Sequence, residues 1–395
     1  MDLVDRRRRV AVLYGTRPEA VKLAPVVHAL DRRDGLVPVV VTSGQHREML
    51  DQVNSLFGIV PDHDLGLLRQ RQSLDDVLAG ALRGFGSFLD EHPVDAVVVQ
   101  GDTTSAFAGA LAAFHRRVPV VHVEAGLRTG DLYSPFPEEA NRRFVSAVAA
   151  RHCAPTEAAA HNLYVENVPR ADVVVTGNTV IDALLHVAPL RTETGDPVLD
   201  EAMRSGRRIV LATAHRRESW DAGIAEVAAA LVRVASLFPD VLVVLPMHRN
   251  PLVRATILPA VRGIPNIHLT EPLDYGAFSH VLSRATVALT DSGGVQEEAP
   301  ALDVPVVVTR DTTERPEVVA AGGAVLVGTD QSRIVRTLRE LLTDEELHRR
   351  MARARNPFGD GHAAESVVDA VEHVLGGTDR RAQPTVSPRV PVTVP

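Results

Sequence analysis

The chain has a single lysine, Lys22, although Lys and Arg together number 42 among its 395 residues. Cysteine is equally scarce: Cys153 stands alone, which excludes an internal disulfide and a cysteine-built metal site. Aromatic residues make up 4%, too few for a base-stacking surface, and positive charge is spread along the chain rather than gathered in one region. A basic tract, Arg6 to Arg9, runs straight into an apolar stretch that stops at Gly15. That stretch is too short for the core of a signal peptide, and no apolar run approaches membrane-spanning length. The net charge of −8 and 23% charged content describe an ordinary soluble surface. These absences predict a cytoplasmic protein with neither nucleic acid nor membrane as partner.

What remains is a chain able to bury large cores. At 395 residues and 45% hydrophobic content, its length favours two domains. Short Val-rich runs alternate with helical patterns almost throughout. Strands are predicted at Val10–Tyr14, Val37–Thr42, Asp95–Gln100, Val118–Val123, His152–Pro155 and Val173–Thr176 in the first half. Arg208–Ala214, Val241–Pro246, Ile267–Thr270, Thr286–Thr290, Pro305–Thr309 and Ala324–Val327 follow in the second. Continuous rather than alternating hydrophobicity marks strands covered on both faces, as in parallel sheets wound with helices. The fold class is therefore α/β, with two doubly wound Rossmann-like domains facing a cleft. Residues 1–178 form the first domain and 179–361 the second. A helix over 362–375 crosses back onto the first domain, and 377–395 form a loose tail.

Ligands of open parallel sheets bind beyond the carboxyl ends of the strands. Seven polar clusters fall there: Gly15-Thr16-Arg17, Ser43-Gly44-Gln45-His46, Gly101-Asp102-Thr103-Thr104, Glu124-Ala125-Gly126, His215-Arg216-Arg217-Glu218, His248-Arg249-Asn250 and Asp291-Ser292-Gly293-Gly294. Their shared position in both halves predicts one cleft between the domains. Ser292-Gly293-Gly294 reads as a turn opening a helix, where unpaired backbone N–H groups can receive phosphate. The plainer reading is an ordinary Ser cap with two glycines. Glu298, one turn on, is placed to accept ribose hydroxyls. Arg17, Lys22, His215 and Arg315 supply cations for a diphosphate held without a metal. An ammonium is a point charge and a guanidinium a planar fork, so Lys22 is not a casual exception.

Three carboxylates remain, Asp102, Glu124 and Glu138. The first two follow buried strands, where an unpaired carboxylate is costly unless it has a partner or a task. Glu138 follows Pro137 at a helix start, where a negative charge is also favourable without any catalysis. Arg142, four residues on, shares its helical face and is placed to pair with it. Asp62-His63-Asp64 has DxD spacing but no accompanying ligand cluster. His122 and Glu124 could share a strand face, which alone is a weak zinc signal. No G-x-G-x-x-G follows the first strand, which disfavours bound NAD.

Gly15-Thr16-Arg17-Pro18-Glu19, Gly101-Asp102-Thr103-Thr104, His122 to Thr129, Pro137 to Arg142, His215 to Glu218 and Asp291 to Glu298 together resemble the non-hydrolysing UDP-N-acetylglucosamine 2-epimerases. The likeness keeps the same order from about Val10 to Leu375. It implies a glycosyltransferase-B-like fold, a homodimer, no cofactor and no metal. It also implies interconversion of UDP-GlcNAc and UDP-N-acetylmannosamine. Nucleotide contacts are implied at Arg17, Leu273, Phe278, Ser292, Gly293, Gly294, Glu298 and Arg315, with Lys22 and His215 near the diphosphate. Asp102, Glu124 and Glu138, with His215, match the acid/base positions. Gln45, His46, Gln72, Arg216 and His248 match positions near a second UDP-GlcNAc that acts as activator. Leu273 and Arg249 depart from the side chains of some relatives. On this reading UDP leaves to give 2-acetamidoglucal and re-adds after C2 has exchanged its proton. A glycosyltransferase of the same fold, a hydrolysing epimerase and a non-catalytic nucleotide-sugar sensor are the rival readings.

Overall fold

The computed structural model describes residues 7–44, 47–67, 72–190, 193–214 and 222–381. The side chains of 47–49, 222 and 377–381 lie outside that description. Seven strands build the first sheet: β1 (Arg8–Tyr14), β2 (Leu36–Thr42), β3 (His63–Asp64), β4 (Ala96–Gln100), β5 (Val120–Val123), β6 (Arg151–Ala154) and β7 (Val173–Val175). Six build the second: β8 (Ile209–Thr213), β9 (Leu242–Pro246), β10 (Ile267–Thr270), β11 (Val287–Thr290), β12 (Val306–Val308) and β13 (Ala324–Leu326). The strand orders are β3-β2-β1-β4-β5-β6-β7 and β10-β9-β8-β11-β12-β13. Every pairing between them is parallel. Both sheets therefore reverse direction of winding between their first and fourth strands, β1/β4 and β8/β11, and such a switch point opens a crevice.

The Val-rich sequence explains the layering. Alternate residues of β1 point to opposite faces: Val10, Val12 and Tyr14 enter one apolar cluster, Ala11 and Leu13 another. On β8, Ile209 and Leu211 join the first of these clusters, while Val210 and Ala212 enter a third. One face of each sheet thus contributes to a core common to both halves.

Two helices carry that shared core. Thr179–Val187 packs on the helix Arg17–Arg32 of the first half and on Tyr275–Ser283 and Gly293–Glu298 of the second. Ala363–Arg381 returns to lie on Arg17–Arg32 and against β4, β5 and β6. Asp182 joins the two crossings by accepting from Ala363 N (3.2 Å) and Ala364 N (2.8 Å).

Three details depart from the sequence reading. β3 was not expected, because a two-residue strand leaves no hydrophobic period to read. The returning helix runs on to Arg381, past the predicted end at 375 and into the stretch read as a loose tail. The residues after 381 lie outside the described structure. Asn178, read only as the last residue of the first domain, caps the helix Thr179–Val187. No described helix is long and apolar enough to cross a membrane.

Candidate active site

The first switch point is built by a buried carboxylate. Thr16 and Glu19 form a capping box at the start of Arg17–Arg32. Glu19 Oε2 accepts from Gly15 N (2.9 Å), Thr16 N (2.7 Å) and Thr16 Oγ1 (2.8 Å). Its other oxygen accepts from Thr103 Oγ1 (2.6 Å), which caps the helix after β4. Glu19 so ties together the loops that carry Arg17 and Asp102, and these donors oppose the effect of burial, which raises its pKa.

Beyond β5 the chain turns sharply. Glu124 adopts a left-handed backbone (φ 60°) and Gly101 does the same (φ 69°). That conformation is easy for glycine and costly for a glutamate, and such outliers concentrate at functional sites. His122 supports the turn: its Nε2 lies 2.8 Å from the Gly101 carbonyl, and burial pushes the imidazole down to about 3. A neutral ring there donates to the carbonyl.

Glu124 is the centre of the site. Its Oε1 receives Lys22 Nζ (2.5 Å) and Asn178 Nδ2 (3.0 Å), and its Oε2 receives Gln100 Nε2. Burial alone would raise this carboxyl. Lys22, then Arg315 and the Asn178 amide, hold it below the ordinary range instead. The only lysine of the chain is therefore spent on the best buried of the acid/base candidates. Burial works against the ammonium too, but Glu124 and Glu297 keep its pKa raised.

Asp102 behaves oppositely. Burial, with the Glu124 charge added, lifts its carboxyl above the ordinary range despite an ion pair with Arg142 (2.6 Å). Two neighbouring carboxyls pushed in opposite directions can divide the roles of acid and base. The sequence reading gave Arg142 to Glu138. The structure gives it to Asp102 and to Glu139 (3.3 Å), because Glu139 is wholly buried and needs a cation. Glu138 opens the helix Glu138–Val148, whose Asn141 also donates to the Asp102 carbonyl (2.9 Å). Among the described residues the Glu138 carboxylate makes no ion pair.

The opposing wall belongs to the second half. A cavity of about 280 Å³ is lined by Arg17 from the first half and by His248, Leu273, Phe278, Ser292, Gly294 and Glu298 from the second. Ser292 caps the helix Gly293–Glu298 without using its hydroxyl. The first N–H groups of any helix have no acceptor within it. With six residues in the helix, this is a local amide site more than a dipole effect. A side chain on Gly293 would sit 3.2 Å from the Arg315 guanidinium carbon, so glycine lets Arg315 lie flat against the turn. Arg315 Nε donates to Glu297 (2.7 Å) and Nη1 to Glu314 (2.9 Å). Burial, with the Glu297 charge beside it, pushes Glu298 up to about 8.

The structure thus brings Arg17, Leu273, Phe278, Ser292, Gly294 and Glu298 onto one cavity. Lys22 pairs with Glu124, Arg315 lies against Gly293, and Asp102 stands within electrostatic reach of Glu124 and Lys22. His248 lines the same cavity, while Gln72 lines a separate one beside Leu65, Gly66, Leu67 and Arg83. Gln45, His46, His215 and Arg216 lie outside the described residues. Asp62 accepts from Val40 N of β2 (2.7 Å) and Asp64 from Gly66 N (2.9 Å), so both carboxylates are engaged with main chain. Among the described residues no group of three His, Cys, Asp or Glu is placed to hold a metal. Sequence reasoning missed Gln100, Glu139, Asn178 and Glu297. Asn178 had a signal, since it follows β7 as the other clusters follow their strands.

Residues 28–372 match the family described as UDP-N-acetylglucosamine 2-epimerase. The enzyme of that name from Yersinia pestis is 47% identical over 370 residues, covering 92% of this chain and 98% of its own. The crystal structure of the UDP-GlcNAc 2-epimerase from Neisseria meningitidis bound to UDP-GlcNAc is 42% identical, with TM-score 0.81 over 92% of this chain and 100% of that one. The kitacinnamycin glycosyltransferase superposes with TM-score 0.64 at 15% identity over 94% of this chain and 100% of that one, a likeness of fold alone. The two switch points, the buried carboxylates and the glycine turn occur in a chain that belongs to the UDP-N-acetylglucosamine 2-epimerase family.

Proposed function

We propose that the protein interconverts UDP-GlcNAc and UDP-N-acetylmannosamine without releasing the sugar to water. The observation that carries this reading is the buried Lys22–Glu124 pair beside Asp102, within electrostatic reach of Arg315 and of Glu298, which lines the cavity together with the Ser292–Gly294 turn. The family, and a relative solved with UDP-GlcNAc bound, support the same substrate.

The chemistry follows from the sugar. C2–H is not acidic, since no carbonyl adjoins it in the ring. Breaking the C1–O bond, with the electron pair leaving on UDP, places positive character at C1 and acidifies C2–H. A carboxylate takes that proton, the C–H electrons form the C1–C2 double bond, and 2-acetamidoglucal and UDP result. Protonation of C2 on the other face, with return of the UDP oxygen to C1, completes the inversion. Arg17, Lys22, Arg315, His215 and the Ser292–Gly294 amides stabilise the departing diphosphate. Glu124, held ionised, suits the base, and Asp102, held protonated more readily, suits the acid; Glu138 completes the set. The homodimer, and an activator held by Gln45, His46, Gln72, Arg216 and His248, belong to the same proposal.

Incubation with UDP-GlcNAc alone tests it. UDP-N-acetylmannosamine is the expected product. Free N-acetylmannosamine would indicate a hydrolysing enzyme, and no change without an added acceptor would favour a transferase.

A further inference from the structure

Asn178 sits where the chain passes from the first sheet to the second, and it is almost wholly buried (2% exposed). Its amide nitrogen has two hydrogens and finds two carboxylates: Glu124 Oε1 at 3.0 Å and Glu297 Oε2 at 3.2 Å. Its amide oxygen accepts from Val180 N (3.1 Å), and its backbone N donates to Phe358 O (2.7 Å), where the chain crosses back. Both amide hydrogens and the amide oxygen are therefore engaged. Glu297 is held on its other oxygen by Arg315, and Glu124 by Lys22 and Gln100. The result is an unbroken line, Arg315–Glu297–Asn178–Glu124–Lys22, from the cationic wall of one half to the carboxylate of the other.

Serine or aspartate would cap the helix Thr179–Val187 as well as asparagine does. Neither can donate to two carboxylates at once. The cap does not explain the residue.

We propose that Asn178 is a positioning residue that fixes Glu124 relative to the diphosphate-binding wall of the opposite lobe. This deepens the epimerase reading and rests on it. The residue touches no reacting atom. It acts by setting the direction of the Glu124 carboxylate and by favouring its charged form, as a donor to an ionised group does. Within hydrogen-bonding or electrostatic reach of Glu124 stand Lys22, Gln100, Asp102, His122, Asn178 and Arg315, so loss of one donor leaves the cations in place.

The test compares the full-length protein with Asn178→Ser and Asn178→Asp for kcat and KM on UDP-GlcNAc across pH, for UDP affinity by calorimetry, and for Tm. Both variants keep a side-chain oxygen for the helix cap. We expect kcat to fall about 10- to 100-fold, the range for losing a hydrogen bond to a charged group, with KM and UDP affinity little changed. The acidic limb of the pH profile should move to higher pH, further in Asn178→Asp, because its carboxylate adds a like charge. Wild-type kcat in either variant would overturn the proposal. So would a lower kcat with the acidic limb unmoved, or failure of both variants to fold, since either outcome makes the residue structural. A wild-type protein inert toward UDP-GlcNAc would instead remove the epimerase reading, and this proposal with it.

Discussion

The two halves of the molecule are wound alike and equipped differently. Each sheet places its fourth strand beside its first, so each offers a crevice at the same point. In the first half the crevice holds ionisable side chains: Lys22, Asp102 and Glu124, braced by Glu19 and His122. In the second the Ser292–Gly294 turn offers main-chain N–H groups, with Arg315 lying against it and Glu298 on the same wall. Proton transfer needs groups whose charge can change, whereas holding a phosphate needs donors that do not. One topology used twice, then filled with two kinds of polar group, separates these tasks.

The largest effects should come from breaking the first half. Glu124→Gln and Asp102→Asn each remove a carboxylate at nearly constant shape. Turnover should drop on the order of 10²- to 10⁴-fold, the usual range for a general acid or base. UDP affinity measured by calorimetry should stay within a few-fold. A matched loss of UDP affinity would erase the distinction between the halves.

The complementary break is Arg315→Met. UDP affinity should fall about 10- to 100-fold, as for other charged hydrogen bonds. The variant should also melt lower, because Glu297, buried, keeps among the described residues only Asn178 as a side-chain donor. If affinity for UDP is unchanged while turnover collapses, Arg315 belongs with the proton-transfer groups and the comparison must be redrawn.

A smaller effect sharpens the electrostatics of the second half. Glu298 in the folded chain holds its proton up to about 8, and the unfolded chain releases it in the ordinary carboxylate range. Between those values the native state binds the extra proton, so this residue makes folding less favourable as pH rises through the window. Below the window both states hold the proton, and above it neither does. Glu298→Gln removes the titration. Its Tm should therefore gain on the wild type steadily from pH 5 to pH 8. A difference in Tm that stays flat across that range would mean the carboxyl is not so strongly raised.

How much of this was legible beforehand depended on the kind of residue. Val-rich runs announced the strands, and polar clusters directly after them announced Arg17, Asp102, Glu124 and Ser292, because a parallel sheet offers its ligand one end only. Leu273 and Phe278 needed the family resemblance, since an apolar residue in a loop or helix carries no mark of contact with a base. Glu139 and Glu297 were hidden by their neighbours. Each stands beside a glutamate already given a task, and which of two consecutive helical residues points inward depends on the packing of the whole helix. Asn178 follows its strand as the polar clusters do, but a lone uncharged asparagine there is explained as well by a helix cap. Arg142 was paired by helical spacing with Glu138, but a buried Glu139 and the distant Asp102 compete for it, and only the folded chain decides between them.

The central claim is that a carboxylate of the first half removes the C2 hydrogen while the second half keeps hold of UDP. Turning over UDP-GlcNAc in deuterium oxide and following C2 by NMR tests that claim most directly. The account predicts deuterium at C2 of the UDP-N-acetylmannosamine formed. Inversion with the original hydrogen retained would contradict it.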